Sequence, residues 1–529
     1  MIREISLTVR PETACDEKKL KGEISSKVGV NQSEINDFKI IKKSVDARRL
    51  PVKINLRIKV AVGSDKSVLE SPAKILYSPL PADAPQIVIV GAGPAGLFAA
   101  LKAIELGIRP IILERGKDVD KRRRDLAEIS REDKLNPDSN FCFGEGGAGA
   151  FSDGKLFTRS KKRGNVSEVL ETLCRFGASE DILINSHPHI GSDKLPGIIK
   201  NIRQQIIESG GEVKFETKVV GLLIENGEDV GVTTSSGENF LGPVFLATGH
   251  SARDVYRMLN NEKVTLEAKG LAIGVRLEHP QNLIDQLQYH SKEGRGQYLP
   301  PAEYRFVTQV DGRGVYSFCM CPGGVIVPSM SGPEQSVVNG MSASARSGKF
   351  ANSGMVVELH PGDIKGFENQ GVLEMLALQE NLEKKFYEAA DGTHKAPAQR
   401  MTDFIKKKDT FSLPKSSYAP GLIPGRLDKL LPAEIETRLR KGFLDFDKKC
   451  RGFVNTEGVM IGLESRTSSP VRIPRDADTL EHIEVKKLYP LGEGAGYAGG
   501  IVSAAIDGQR SVEAYNKNYL SNNDLNING

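Results

Sequence analysis

The stretch QIVIVGAGPAGLFAALKAIELGIRPIILE, residues 86–114, decides the fold of the central part of the chain. It opens with apolar residues in a row, as in a parallel strand that is buried on both faces. Gly91, Gly93 and Gly96 follow at the spacing GxGxxG, and Glu114 ends a second apolar run 23 residues after Gly91. Strand, glycine turn, helix, strand and acid in this order predict a dinucleotide-binding β-α-β unit.

Each residue of the turn has a physical task in that prediction. Gly91 permits the tight turn, Gly93 lets the backbone approach a pyrophosphate, and Gly96 lets the helix pack against the strand. The N-terminus of the helix then faces the phosphates, and Glu114 accepts hydrogen bonds from a ribose. A second match to the spacing, at residues 144–149, has no apolar strand before it. It therefore does not predict a second nucleotide site.

Three remote segments indicate FAD rather than NAD, because FAD is long and its flavin end must be held far from the first turn. Residues 214–219 resemble an edge strand that contacts adenine through Val219, and residues 244–249 form an apolar strand that ends in Thr-Gly. Residues 489–500 are glycine-rich and precede a helix, whose N-terminus would stabilise negative charge on a reduced flavin. The expected cofactor is one non-covalent FAD, with NAD(P)H as a candidate transient electron donor.

The length of 529 residues exceeds what a single hydrophobic core holds, so we expect several domains. The predicted fold class is α/β, with an FAD-binding Rossmann-like domain of the glutathione-reductase-2 type, an inserted mixed α+β cap, and a small N-terminal β-α-β-β (ferredoxin-like) domain. The predicted ranges are 1–82 for the N-terminal domain, 83–261 and 456–529 for the two parts of the FAD-binding domain, and 262–455 for the cap.

The composition of the chain limits its expected partners and its expected cellular location. The net charge of +4 is small for this length, so charge alone favours neither nucleic acid nor membrane. The most apolar stretch, residues 87–104, is interrupted by glycine and proline, which argues against a spanning helix. Six scattered cysteines do not form a disulfide framework, and the N-terminus shows no export signal. We expect a cytoplasmic monomer or homodimer.

Six motifs resemble those of a bacterial and plastid family of uncharacterised FAD-dependent, or NAD(FAD)-utilising, dehydrogenases. They are GEGGAGAFSDGK (144–155), PHIGSD (188–193), ATGHSARD (247–254), CMCPGG (319–324), ESRTSSPVRI (464–473) and the segment 492–501. More distantly the chain resembles geranylgeranyl reductases and other flavoproteins of the glutathione-reductase-2 class. Those often place a Gly-Asp turn against the ribityl chain, where this chain has Gly492-Glu493.

The fingerprint, the remote segments and the resemblance together name the expected cofactor contacts. The resemblance implies that residues 146–155 wrap the flavin, with backbone N–H groups and side chains both available. The complete expected set is Gly91, Gly93, Pro94, Ala95, Gly96, Glu114, Arg115, Gly147, Ala148, Gly149, Ser152, Asp153, Gly154, Lys155, Val219, Thr248, Gly249, Gly492, Glu493, Gly500 and Ile501.

Few residues are candidates for the chemistry itself. His250 follows Ala-Thr-Gly and is the better acid–base candidate. Cys319 and Cys321 are either a redox pair or two small residues packed in a strand, where their side chains would share a face but splay apart. His187, His189 and His250 could be metal ligands or proton donors, but no cysteine or carboxylate cluster completes a ligand set, so the expected metal is none.

The functional hypotheses belong to two classes. In the first, the protein is an oxidoreductase that transfers hydride between FAD and an unidentified organic substrate under the cap, with a flavin monooxygenase as a variant. In the second, it is a flavin-dependent RNA-associated or partner-binding factor that uses the N-terminal domain, although the charge does not favour nucleic acid. The basic runs 121–124 and 159–163 either receive the phosphate of NADPH or form a solvated face.

Overall fold

The computed structural model describes residues 2–63, 77–158 and 164–521. The basic run 159–163 lies outside these residues. Three units follow one another in the fold: a small N-terminal sheet, a cofactor-binding unit with a parallel sheet, and a cap with a large mixed sheet. Among the described residues, no helix is long and apolar enough to cross a membrane.

The N-terminal unit is a three-stranded sheet with one long helix against one face. The central strand is the last in sequence, and it is antiparallel to both neighbours. The long helix starts at the side chain of Asp16, which accepts the Lys19 N–H, and ends at Gly29, whose φ of 74° lies in the left-handed region. The elements are β1 (Ile2–Val9), α1 (Pro11–Ala14), α2 (Glu17–Val28), β2 (Ile35–Asp46) and β3 (Lys53–Val62).

The cofactor-binding unit is built on a five-stranded parallel sheet. Its elements are β4 (Gln86–Val90), α3 (Pro94–Glu105), β5 (Arg109–Leu113), α4 (Val119–Glu132), α5 (Val166–Arg175), α6 (Asp181–Ile184), α7 (Leu195–Glu208), β6 (Glu212–Lys214), β7 (Val219–Glu225), β8 (Glu228–Thr234), β9 (Asn239–Leu241), β10 (Val244–Leu246) and α8 (Arg253–Asn261). After the cap, β21 (Leu488–Pro490) and α14 (Ile501–Tyr515) complete the unit.

The strand order of the parallel sheet is β21-β10-β4-β5-β6, with the predicted first strand β4 in the middle. Ile87, Val88 and Ile89 are fully buried, as the unbroken apolar run predicts. The α/β class with a parallel sheet is thus confirmed. Strands β7, β8 and β9 form a separate antiparallel sheet, so Val219 begins an antiparallel strand and is not part of the parallel edge strand β6.

The cap contains an eight-stranded mixed sheet with helices packed against it. Its elements are β11 (Glu267–Ala268), β12 (Leu271–Pro280), α9 (Gln281–Tyr289), β13 (Val307–Val310), β14 (Arg313–Pro328), β15 (Val338–Met341), β16 (Phe350–Leu359), α10 (Glu374–Glu388), β17 (Ala396–Arg400), α11 (Met401–Lys406), β18 (Leu422–Pro424), α12 (Leu427–Leu430), α13 (Ala433–Lys449), β19 (Val459–Glu464) and β20 (Val471–Arg472).

The cap extends further along the chain than the predicted boundary at residue 455. The order of its main sheet is β13-β14-β16-β12-β19-β17-β18, with β15 beside β14. Strand β19 lies inside this sheet, between β12 and β17. The predicted boundary is therefore corrected to a point after Glu464, because a strand that is hydrogen-bonded on both sides belongs to the sheet that it completes.

The last helix of the chain returns to the first helix of the nucleotide fold. Helix α14 packs against α3 so closely that a Cβ on Gly508 would collide with the carbonyl oxygen of Ala95. This contact places Ile501, at the start of α14, beside Gly149 and Pro94. Residues from the two ends of the cofactor-binding unit thereby reach one site.

Candidate active site

A deep cavity lies at the carboxyl ends of β4, β5 and β10, where open parallel sheets bind their ligands. Its empty space, with the open solvent at its mouth included, is about 960 Å³. The predicted cofactor residues that line it are Gly91, Gly93, Pro94, Ala95, Glu114, Arg115, Gly147, Ala148, Gly149, Val219, Thr248, Gly249, Glu493 and Ile501. Segments more than 400 residues apart in the chain therefore meet at one cavity, as a long cofactor requires.

The glycine turn has the shape that a dinucleotide needs. Gly91 has a φ of 108°, and a Cβ there would lie 2.8 Å from the carbonyl oxygen of Ala247. A Cβ on Gly96 would collide with the carbonyl oxygen of Gly91. Gly93, by contrast, has no atom within 4 Å of an added Cβ, so it faces open space at the start of α3. The cavity therefore leaves room for a pyrophosphate where the N–H groups of α3 point.

Glu114 organises the turn as well as lining the cavity. The side chain is 5% exposed, and its carboxylate accepts the N–H groups of Ala92 at 2.9 Å, Gly116 at 2.9 Å and Gly144 at 3.0 Å. The predicted role as a ribose acceptor stays a prediction. The structure adds a second task, because one carboxylate joins the fingerprint turn to the loop that starts at Gly144.

A buried arginine holds that loop in place. Arg122 is fully buried and donates to the carbonyl oxygens of Asn140 and Glu145, both at 2.8 Å. Neither interpretation of the run 121–124 applies to this residue, because helix α4 turns Arg122 inward. Lys121, Arg123 and Arg124 are exposed, as on a solvated face.

The second half of the predicted flavin loop contacts the cap instead of the cavity. Asp153 is 2% exposed and pairs with Arg346, at 2.5 and 3.1 Å, and with Lys155 at 3.0 Å. Burial raises the pKa of Asp153, but Lys155 and Arg346 outweigh it and lower the value to about 2. In this structure the predicted contacts that do not line the cavity are Gly96, Ser152, Asp153, Gly154, Lys155, Gly492 and Gly500.

Arginines from two of the quoted motifs connect the cap to the cofactor-binding unit by pairing with one buried carboxylate. Glu383, fully buried on α10, accepts from Arg253 at 2.6 Å and from Arg466 at 3.2 Å. These two arginines belong to the motifs 247–254 and 464–473. Burial raises the pKa of Glu383, and the two arginines lower it to about 2, so the carboxylate is charged. Arg466 also contacts Cys142 and Ser251, which line the cavity.

The motif 188–193 makes a second connection. The carboxylate of Asp193 accepts the N–H of Ser344 at 2.7 Å and its hydroxyl at 2.8 Å. His189 lies 3.1 Å from the carbonyl oxygen of Ser344, and His187 lies 3.1 Å from Glu303. Both histidines thus have partners in the cap. Within the described ranges, no group of three or more metal-ligating side chains lies together.

His250 and Glu493 face each other across the cavity. His250 Nε2 is 3.8 Å from Glu493 Oε2, and His250 Nδ1 is buried without a hydrogen-bond partner among the described residues. Burial lowers the pKa of His250 to about 3, helped by Arg466, Arg253 and Lys269, so the ring is neutral. Burial raises the pKa of Glu493 to about 7. The pair therefore offers one titrating carboxyl and one neutral imidazole to a cofactor.

The cysteine pair does not have the predicted strand geometry. Cys319 has a φ of 44° at a bulge in β14, where the pairing with β16 shifts between Phe318 and Cys321. The expectation that the two side chains share a face is wrong, because the bulge leaves Cys319 exposed and Cys321 buried. Cys321 Sγ lies 3.5 Å from Lys155 Nζ and 3.5 Å from Arg276 Nη2, and both thiols are free.

Sequence reasoning missed several residues that line the cavity: Cys142, Phe143, Gly144, Thr217, Ser251, Ala252, Val255 and Ala504. Gly144, Ser251 and Ala252 stand inside the quoted motifs, and the other five lie within three residues of a motif or a predicted contact. Proximity in sequence is therefore the signal that could have found them. Arg122 and Glu383 carried no such signal, since their roles depend on partners far away in the chain.

Comparison with known proteins adds to this geometry. Residues 270–467, which form most of the cap, match the family described as FAD-dependent protein, C-terminal domain-like. Residues 1–61 match a domain of unknown function. Together with the fingerprint and the cavity, the first match identifies the cofactor as FAD.

One sequence relative and two solved structures illustrate what the chain is similar to. A protein of Clostridium beijerinckii, described as uncharacterized, is 40% identical over 97% of each chain. The structure of 2,6-dihydroxypyridine-3-hydroxylase from Arthrobacter nicotinovorans is 11% identical, with 85% of this chain and 88% of that chain covered and a TM-score of 0.39. A geranylgeranyl bacteriochlorophyll reductase-like protein from Thermoplasma acidophilum is 12% identical, with 83% and 80% covered and a TM-score of 0.36. The chain belongs to the same family as the Clostridium beijerinckii protein, and it carries the FAD-dependent C-terminal domain of residues 270–467.

Proposed function

We propose that the protein is an FAD-dependent oxidoreductase that transfers hydride between FAD and a small organic substrate held against the cap. The observation that carries the proposal is the cavity itself, which joins the glycine turn, the loop 144–149 and the start of α14. When bound, FAD supplies the hydride chemistry. The chain's own residues bind the cofactor, exclude water and supply groups that hold protons.

The proposed cofactor contacts divide by position along the cavity. Glu114 and Arg115 mark the end where the adenosine ribose would bind, and the N–H groups at the start of α3 would hold the pyrophosphate. Gly147, Ala148 and Gly149 close over the turn, since a Cβ on Gly147 would lie 3.4 Å from Gly93. His250 and Glu493 supply the polar side chains beyond the turn. His250 Nδ1, buried without a hydrogen-bond partner among the described residues, is available to a group on the cofactor.

A direct experiment tests this proposal. Purified protein should contain about one FAD per chain, released intact by acid, because the fingerprint holds a dinucleotide through backbone contacts without a covalent bond. Under anaerobic conditions the bound flavin should accept one two-electron equivalent and pass it to an organic acceptor. Release of FMN, retention of flavin on the precipitate, or a colourless protein that cannot be reconstituted with FAD would contradict the proposal.

Oxygen and nicotinamide separate the variants of this function. A monooxygenase couples oxygen consumption to oxidation of NADH or NADPH and to substrate hydroxylation. A dehydrogenase or reductase passes electrons to or from the substrate without that coupling. Stopped-flow reduction by NADH and by NADPH would show whether a nicotinamide serves as donor.

The RNA-associated alternative rests on one surface of the N-terminal unit. Lys42, Arg57 and Lys59 are exposed on the sheet face opposite the buried residues Ile54, Leu56 and Ile58, and Lys42 lies directly across from Arg57. Binding of the full chain to RNA that weakens steeply with salt, and that is lost when these cations are replaced by glutamine, would favour this alternative.

A further inference from the structure

A second cavity, a groove on one face of the cap sheet, is separate from the cofactor cavity. It runs across the adjacent strands β13, β14, β16 and β12. The opposite face of the sheet belongs to the core, because Val315 on β14 is fully buried and packs against Gly442 of α13. The empty space of the groove, with the open solvent at its mouth included, is about 930 Å³. A small organic molecule fits in a space of this size.

A glycine inside a strand forms a notch in the floor of the groove. Gly314 on β14 pairs with Gln309 on β13, and its N–H donates to Glu358 Oε2 on β16 at 3.1 Å. A Cβ on Gly314 would lie 3.1 Å from Glu358 Oε2, 3.6 Å from the Tyr316 ring and 3.7 Å from Gln309 Nε2. Three side chains from three strands therefore surround the space that the missing side chain leaves. A glycine in a strand interior often marks such a place of close approach by a ligand.

The segment 467–468 forms the opposite wall of the groove. Thr467 Oγ1 donates to the carbonyl oxygen of Ala272 at 2.8 Å and accepts its N–H at 3.1 Å, so the segment is fixed to β12. Ser468, the next residue, lines the groove. The nearby Lys269 ammonium group donates to the carbonyl oxygens of Gly270 and Ser469, both at 3.4 Å. Among the described residues that line the groove there is no lysine or arginine.

Glu358 gives the groove a negative charge. Contacts with His360 Nε2, at 2.9 Å, and with the Gly314 N–H lower the pKa of Glu358 below its ordinary value, so the carboxylate is charged. The neighbouring Arg313 is neutralised by Asp363 through two contacts of 2.6 and 2.7 Å. A histidine loses its charge between about pH 5 and 8. Above that range the Glu358 carboxylate has no full counter-charge among the described residues of the groove.

We propose that this groove binds the ammonium group of a small organic amine, with the Glu358 carboxylate as its counter-charge and the Tyr316 ring beside it. A carboxylate accepts about four hydrogen bonds, so Glu358 can accept from an ammonium group in addition to His360 and Gly314. The aromatic ring adds cation–π attraction. Val307, whose side chain is 58% exposed at the groove, offers an apolar contact to the rest of the ligand. The inference goes beyond the proposed function and does not depend on the flavin reaction.

Two probes of nearly the same size test the groove without knowledge of its natural ligand. Benzylamine is positively charged at about pH 8, where a histidine is mainly neutral, and benzyl alcohol is its uncharged counterpart. The full chain is loaded with FAD so that the cofactor cavity is occupied, and ligand-observed NMR titrations give the two dissociation constants. We expect benzylamine to bind about tenfold more tightly than benzyl alcohol, because an exposed ion pair and a cation–π contact together contribute roughly this factor.

Two variants in the notch assign the binding to this groove. Glu358→Gln should remove the preference for benzylamine and leave the affinity for benzyl alcohol nearly unchanged. Gly314→Ala should weaken the binding of both probes, because the new methyl group fills the notch without a change in charge; the φ of Gly314 lies outside the left-handed region. Glu225→Gln is the matched control, since Glu225 is exposed on β7 in a different sheet, and it should bind both probes like the parent.

The outcomes that would overturn the inference are specific to this groove. They are an absence of benzylamine binding, equal affinity of the two probes for the parent chain, or a preference that survives Glu358→Gln. If Glu358→Gln does not fold, Gly314→Ala still decides, and unchanged benzylamine affinity in that variant would overturn the inference as well. None of these results bears on the proposed function, which is tested separately by FAD content and flavin reduction.

Discussion

The fingerprint turn and the junction between the cap and the cofactor-binding unit are built in opposite ways. In the turn, the glycine spacing and the apolar runs of residues 86–114 set the local backbone, although Gly91 also packs against Ala247. At the junction, Arg466 meets Cys142 and Arg346 meets Asp153, across 324 and 193 residues. The first region can be predicted from the local sequence, whereas the second depends on contacts that form only in the folded chain.

Removal of one buried carboxylate at this junction gives the largest expected effect. Glu383→Gln leaves Arg253 and Arg466 buried without their shared counter-charge, and breaking a buried pair costs about 3–5 kcal/mol. Urea unfolding of the FAD-free protein should show this loss of stability. Glu380→Gln is the matched control, because Glu380 is 30% exposed and pairs with Arg253 at 3.7 Å. An equal effect of both variants would mean that the buried network does not hold the cap in place.

Substitution of Glu114 is the corresponding test of the fingerprint turn. Glu114→Ala should weaken FAD binding about 10- to 150-fold, since a hydrogen bond to a charged group contributes roughly 1.5–3 kcal/mol. Loss of its three backbone contacts should add to the effect by loosening the loop at Gly144. Fluorescence titration of apoprotein measures the change, with Glu168→Ala as a control on α5. Unchanged affinity in Glu114→Ala would mean that the nucleotide lies elsewhere.

The raised pKa of Glu493 predicts how the stability of the protein depends on pH. Burial raises this pKa from 4.5 to about 7. Between these two pH values the Glu493 carboxyl is therefore protonated in the folded protein and ionised in the unfolded chain. The stability of the FAD-free protein should therefore fall as pH rises from about 4.5 to about 7 and then level off. In Glu493→Gln this decline should be smaller. Thermal unfolding across that range measures it, and identical pH profiles would show that Glu493 is not desolvated.

The cysteines give the smallest expected effect. Replacing Cys319 and Cys321 together by alanine should leave the dithionite titration at one two-electron equivalent per FAD, since the bulge directs the two thiols to different environments. Loss of a second two-electron equivalent on replacement would identify a redox pair in the parent protein.

The same contrast explains which parts of the site could be predicted from the sequence. The strand β4 and the turn at Gly91 were predictable, because spacing and apolar runs determine them, and the lining role of Glu493 followed from the glycine-rich segment and the family resemblance. The inward turn of Arg122, the bulge at Cys319 and the use of Asp153 by the cap were not. A bulge shifts the register of strand pairing through the backbone conformation of one residue. A buried ion pair depends on a partner that no local sequence pattern identifies. Two quoted motifs contain Arg253 and Arg466, but nothing in either motif indicated that both arginines bind Glu383.

The central claim, that FAD lies across the turn at Gly93, is tested most directly by one pair of glycine variants. Gly93 and Gly197 both have open space around an added Cβ and neither has a φ in the left-handed region, but Gly93 faces the cavity and Gly197 lies on α7. In a fluorescence titration of apoprotein with FAD, Gly93→Ala should bind at least about tenfold more weakly than the parent, because the new methyl group occupies space meant for the pyrophosphate. Gly197→Ala should bind like the parent. Equal FAD affinity of Gly93→Ala and Gly197→Ala would contradict the account.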